Sequence, residues 1–153
     1  MSAPTPAALT PAQLTATARE FAARTDLWQP AARFTPDRRW YRRLERTDDF
    51  EVWLLTWLPG QGTEIHNHGG SSGAFTVVQG ALTERSFGAD EPVTRTLEAG
   101  GLRSFGPTYV HQVTNTGDVP AISVHAYGPA LTVQSYFAWD GALQLLRTES
   151  VDD

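Results

Sequence analysis

The chain has 153 residues, 41% of them hydrophobic and 19% charged, with a formal net charge of −5. That composition belongs to a globular protein with one core rather than a disordered segment, and it argues against a nucleic-acid partner, which needs clustered positive charge. Cysteine is absent, which excludes disulfides, thiolate metal sites and Cys nucleophiles. No apolar run approaches the ~20 residues needed to cross a bilayer. Met1-Ser2-Ala3-Pro4-Thr5-Pro6 lacks the basic-then-apolar pattern of a secretory signal. A cytoplasmic protein with no membrane partner, a monomer or weak dimer, is expected.

Residues 1–8 are rich in Pro, Ala and Thr and are expected to be loose. A helix start follows. Thr10 serves as N-cap, Pro11 takes the first helical position, Gln13 completes a capping box, and Leu9 and Leu14 form a hydrophobic staple. Leu14, Ala18, Phe21, Ala22 and Thr25 share one face, so the spacing predicts a helix over 10–28, ending before Gln29-Pro30 and packed on the rest of the chain. Short β-type runs come next, at 40–46, 50–58, 74–79, 81–87, 93–97, 102–105, 110–115, 120–127 and 131–138. Gly80, Gly88, Gly100-Gly101, Gly106-Pro107 and Gly117-Asp118 mark their corners. Many short strands with regular turns predict an all-β sandwich or barrel within a single domain spanning 1–153. Residues 139–147 read as a last strand or a turn, and 148–153 as a frayed acidic end.

The chain has four histidines: His66, His68, His111 and His125. On a strand, His66 and His68 point to the same face, giving half of a metal site. His111 follows the corner Gly106-Pro107, in a short β run. In the run Ser123-Val124-His125-Ala126-Tyr127 the polar groups share one face and the apolar residues take the other. A polar row inside a barrel must be hydrogen-bonded, since an unpaired buried polar group costs about 1–3 kcal/mol. Ser123 and His125 also carry the residue types of a hydrolase. They lack both an acid partner and a nucleophile turn.

The pattern Gly60-x5-His66-x-His68-x4-Gly73-x6-Gly80, followed by Gly100 and His111-x3-Asn115, resembles the two motifs of the cupins. The family's first motif usually carries Glu where this chain has Gly73, and the Pro of the second motif is displaced by one, to Pro107. The block from Trp57 to Gly73, Val77-Val-x-Gly-x-Leu82, His111-x-Val-x-Asn115 and Ser123-x-His125-x-Tyr127 resemble, in order, four blocks of the cysteine dioxygenases. The resemblance covers roughly residues 38–140. It implies a cupin (jelly-roll) β-barrel over 38–140 preceded by the helix, and Fe(II) held by His66, His68 and His111. It also implies Tyr127 near the iron, oriented by His125 and in turn by Ser123. Tyr41-x-Arg43 resembles the segment whose Arg binds a substrate carboxylate, with Arg42 the neighbouring alternative. Animal members crosslink a Cys to the active-site Tyr. The matching position here is Gly73, so this chain resembles the bacterial type that lacks the crosslink. Gly128-Pro129 falls where the family has a cis bond.

The implied reaction converts L-cysteine and O2 to cysteine sulfinate. Three neutral imidazoles leave one side of the iron open, and a thiolate supplies the negative charge that a Glu ligand would otherwise bring. An Arg fork can hold the carboxylate. Trp53, Trp57 and Phe75 are candidates for excluding water. Alternatives are a dioxygenase of 3-mercaptopropionate or another small thiol, a non-catalytic metal-binding cupin that senses a metabolite, and a three-His zinc enzyme that activates water.

Overall fold

The computed structural model describes residues 9–151; the expectation of loose residues 1–8 lies outside them. Helix α1 (Pro11–Ala23) starts as its cap dictates. Thr10 is extended (φ −77°, ψ 160°), its hydroxyl accepts from the Gln13 N–H, and the Gln13 side chain accepts from the Thr10 N–H. The helix does not run unbroken to residue 28. Arg24 leaves helical geometry (φ −87°, ψ 69°), and a four-residue turn, α2 (Thr25–Trp28), follows. The break lets Trp28 fold back and bury, its indole N–H donating to Ala22 O at 2.8 Å. That bond satisfies a carbonyl that a helix end leaves without a partner. Thr25, expected on the apolar stripe, is exposed as a result.

Eleven strands follow among the described residues: β1 (Trp40–Arg46), β2 (Glu51–Trp57), β3 (Ile65–His66), β4 (Ser72–Gln79), β5 (Ala81–Phe87), β6 (Val93–Glu98), β7 (Leu102–Phe105), β8 (Val110–Thr114), β9 (Ala121–Gly128), β10 (Val133–Trp139) and β11 (Leu143–Ser150). They form two antiparallel sheets, ordered β1-β2-β9-β4-β7 and β11-β10-β3-β8-β5-β6, so the all-β expectation is borne out. The final segment is a full strand: residues 148–150, expected to fray, pair with β10. Among the described residues no helix is long and apolar enough to cross a membrane.

Alternation sorts the core into layers. From β2 and β9, Val52, Leu54, Ile122, Val124 and Ala126 turn outward against Leu14, Ala18, Phe21 and Trp28 of the helices. Each large side chain buried there stabilises by about 1.5–3 kcal/mol. The intervening residues, Trp53, Trp57 and Tyr127, face inward to a second cluster with Phe75, Val77, Leu82, Phe105 and Val113. Every residue of β9 is buried, because helices cover one of its faces and the other closes the barrel. The polar row Ser123, His125 and Tyr127 therefore lies in the barrel interior.

Candidate metal centre

Strand β3 is two residues long but sits between two partners: His66 lies opposite His111 of β8 and opposite Tyr136 of β10. Beyond β3 the pairing continues in single bonds. The Asn67 N–H donates to Ser135 O at 3.0 Å, and Asn67 Oδ1 accepts from the N–H groups of Ser135 and Gly69. Asn67 is thus turned toward β10 and the following turn, and His68 returns to the interior. Gly69 (φ +59°) must be glycine, since a Cβ there would lie 2.2 Å from Val133 O.

The three imidazoles converge. Ring centroids are 5.0 Å apart for His66–His68, 4.8 Å for His66–His111 and 4.9 Å for His68–His111. One nitrogen from each lies within 4.8 Å of the others, and all three residues are buried. The rings differ in what stands behind them. His66 Nδ1 donates to Glu64 O at 2.8 Å, and His111 Nδ1 donates to Glu84 Oε2 at 2.9 Å, which leaves each Nε2 as a lone-pair donor. His68 is stacked between Phe105 (4.7 Å) and Tyr127 (5.3 Å), and neither of its nitrogens has a hydrogen-bond partner among the described residues. An orphaned buried polar group costs about 1–3 kcal/mol, and a cation among the three rings removes one such orphan. Burial lowers the His66 pKa to about 4 and holds those of His68 and His111 well below the ordinary histidine value. Neutral imidazoles are the form that binds metal. The donor set therefore fits a metal ion, with no carboxylate ligand. Position 73 cannot supply one, because even a Cβ on Gly73 would sit 2.5 Å from Phe105 Cζ and 3.0 Å from Tyr127 Cδ1.

A cavity of about 440 Å³ opens beside the histidines, lined among others by His66, His111, His125, Tyr127, Trp53 and Arg39. Ser123 Oγ lies 2.8 Å from Trp57 Nε1 and 2.7 Å from His125 Nε2, and His125 Nδ1 lies 3.3 Å from the Tyr127 hydroxyl. Phe75 stacks on His125 at 4.9 Å, with the rings 8° from parallel. Burial depresses the His125 pKa and raises that of Tyr127, so the row is neutral. The Gly128–Pro129 bond that follows is cis.

Of the sequence-predicted cations, neither Arg42 nor Arg43 lines the cavity. Arg42 lies opposite Leu54, on the helix-facing side. Arg43 shares the inward face but sits over Trp53 (5.8 Å), with Glu51 Oε2 at 3.9 Å. The cation in the cavity is Arg39, one residue before β1, stacked over Trp57 at 4.8 Å. It makes no ion pair with any described residue, and burial lowers its pKa. Tyr41, two residues on, lines the same cavity with its ring edge-on to Trp53. Sequence reasoning missed Arg39 because arginines fall on both faces of this segment. It also missed Glu84, although alternation with Thr83 and Arg85 places Glu84 on the inward face with Leu82.

The sequence pattern of the family described as cysteine dioxygenase type I matches residues 7–139. Among solved structures, TT1209 from Thermus thermophilus is similar at 22% identity and a TM-score of 0.60, over 67% of this chain and 94% of that one. An uncharacterised Klebsiella pneumoniae protein with a double-stranded β-helix domain is similar at 24% identity and a TM-score of 0.59, over 66% of this chain and 80% of that one. An oxalate oxidase in complex with glycolate is similar at 18% identity and a TM-score of 0.53, over 61% of this chain and 52% of that one. These likenesses show the cupin fold. The family match, across most of the chain's length, establishes that the chain belongs to the cysteine dioxygenase type I family of thiol dioxygenases.

Proposed function

We propose that this protein is an Fe(II)-dependent dioxygenase of a small thiol bearing a carboxylate, with L-cysteine as substrate, and that it is a bacterial-type enzyme working without a Cys–Tyr crosslink. The observation that carries this reading is the joint presence, around one cavity, of a three-histidine group with no acid ligand and a half-buried arginine with no acid partner among the described residues. The reaction is R–SH + O2 → R–SO2H. Sulfur loses four electrons and both oxygen atoms take them up, so no further reductant is required. His66, His68 and His111 would hold the iron, which when bound would lift the spin restriction on the reaction of a thiol with O2.

The chain's own residues do the rest. Arg39 takes the substrate carboxylate in place of Arg43, its plane already fixed against Trp57, so little freedom is lost on binding. The Trp57 indole can only donate, so Ser123 Oγ accepts from it and gives its own hydrogen to His125 Nε2. Neutral His125 then carries its proton on Nδ1, facing Tyr127. That leaves the phenol O–H free to donate into the cavity, where it orients substrate or oxygen. Trp53, Trp57 and Leu55 limit water at the reacting sulfur.

3-Mercaptopropionate is the second reading. Among the described residues the only acid lining the cavity is Glu64, which is engaged by Arg147, so no free carboxylate awaits an ammonium group. The deciding experiment is O2 uptake by Fe(II)-loaded protein with L-cysteine, 3-mercaptopropionate, cysteamine or no thiol. Uptake selective for cysteine supports the first reading, and selectivity for 3-mercaptopropionate supports the second. Equal uptake with cysteamine would overturn the role given to Arg39. No uptake with any thiol, in protein shown to hold iron, would leave a metal-binding, non-catalytic cupin.

A further inference from the structure

Behind the three histidines stand three different arrangements: a backbone carbonyl behind His66, no described hydrogen-bond partner behind His68, and a carboxylate behind His111. Glu84 is fully buried. Its Oε2 accepts from His111 Nδ1 at 2.9 Å, and its Oε1 accepts from Arg103 Nε at 2.9 Å. Arg103 is in turn held by the Tyr109 hydroxyl at 3.2 Å, and the Tyr109 ring packs 5.2 Å from that of His111. Each carboxylate oxygen thus has one committed donor, and the row runs Tyr109, Arg103, Glu84, His111 from the barrel wall to the metal centre. A charge is buried at this depth only where it is paired and hydrogen-bonded, and here both conditions are met.

We infer that Glu84 is the positioning residue that makes His111 the strongest donor of the three, delivering through an imidazole the negative charge that Gly73 cannot place on the metal. A carboxylate only accepts, so it fixes the Nδ1–H tautomer of His111 and aims Nε2 at the metal. Its charge raises the basicity of that nitrogen. Arg103 holds the other oxygen and offsets part of the charge, so His111 is polarised without being deprotonated. The arrangement keeps the ligand set neutral while it would favour the higher oxidation state of a bound iron. It makes the three ligands unequal, with donor strength falling from His111 to His66 to His68.

This inference rests on the metal-centre reading, and its test is chosen to fail separately from it. In metal-free protein, 15N-edited spectra are expected to show a His111 Nδ1–H proton that is strongly deshielded and moves upfield in Glu84→Gln. An Nε2–H tautomer in the parent, or an unmoved signal in the variant, would overturn the inference whatever the enzyme's substrate. With metal, Glu84→Gln is expected to weaken Zn(II) affinity, measured by chelator competition, by roughly 10–100-fold, and to raise the iron midpoint potential. Arg103→Gln is expected to lower that potential by leaving the Glu84 charge unopposed. A merely structural role would move both variants in the same direction, so same-sign or absent shifts would overturn it. The arginine variant also keeps the test open if Glu84→Gln does not fold. Should both shifts appear while no thiol supports O2 uptake, the proposed reaction falls and the Glu84 role stands.

Discussion

Gly73→Ala is a change of one carbon at the most crowded point of the centre. The backbone there does not demand glycine, since Gly73 is not among the positive-φ residues; only space forbids a side chain. The added Cβ would lie 2.5 and 2.7 Å from two atoms of the Phe105 ring and 3.0 Å from Tyr127. It therefore stands about 1 Å inside the ~3.5–4.0 Å optimum for carbon contacts. Phe105 cannot simply recede, because it is stacked on His68 at 4.7 Å and on Tyr109 at 4.7 Å. Overpacking of this kind costs about 1–3 kcal/mol. Phe105→Ala alone should cost about 3–5 kcal/mol through its cavity. In that background the methyl group added by Gly73→Ala has room, and loss of a strand glycine should stabilise by about 0.5–1 kcal/mol. A double-mutant cycle by urea denaturation of the metal-free proteins should thus give a coupling of roughly 1.5–4 kcal/mol. Additivity within ~0.5 kcal/mol would show that the ring yields freely, and the crowding account of position 73 would be wrong.

Arg39→Met should raise KM for carboxylate-bearing thiols by roughly 10–150-fold, the worth of a charged hydrogen bond of about 1.5–3 kcal/mol, with cysteamine turnover unaffected. Arg43→Met should change KM by less than about threefold, and the reverse ranking in steady-state O2 uptake would return the carboxylate to Arg43. His68→Ala should abolish stoichiometric iron in protein purified after Fe(II) loading, read by elemental analysis; full retention would remove His68 from the ligand set. Acid should destabilise the metal-free protein. His66 titrates near 6.5 unfolded and at about 4 folded, so the unfolded chain binds more protons in that window and stability falls as pH drops through it. At pH 5 His66 alone should cost about 2 kcal/mol, with His68, His111 and His125 acting in the same direction. A denaturation midpoint unchanged between pH 7 and 5 would contradict the burial of neutral rings.

The residues most legible in the sequence were those whose chemistry allows few roles. Thr10-Pro11-x-Gln13 could hardly be anything but a helix start, and the structure has both capping hydrogen bonds. The alternation in Ser123, His125 and Tyr127 was visible because the intervening Val124 and Ala126 are apolar. In β1 it was not. Arginines and aromatics occupy both faces, so polarity marks neither as the inward one, and Arg39 and Arg43 have the same parity, so alternation cannot separate those two. Glu84 was hidden for the opposite reason: a glutamate flanked by Thr83 and Arg85 looks like solvent-facing charge until Arg103 and His111 are seen to share it. The break at Arg24 depends on Trp28 reaching back to Ala22, a contact between residues that no helical period pairs. Strand β11 carries exposed Leu145 and Leu146 on an outer edge, and its residues show no clean alternation.

The brevity of β3 bears on how the protein matures. His66 and His68 are made well before the strands that hold His66 in place, β8 (Val110–Thr114) and β10 (Val133–Trp139). Until β8 has emerged His66 has neither strand partner, and its β10 side stays open until that strand follows. Pairings this distant in sequence are among the last that a chain completes. A metal would therefore arrive at a finished barrel instead of templating one, unlike metals whose binding drives a small domain to fold. A chain that stops short of β8 carries His66 and His68 without His111, two ligands but not the three-histidine site.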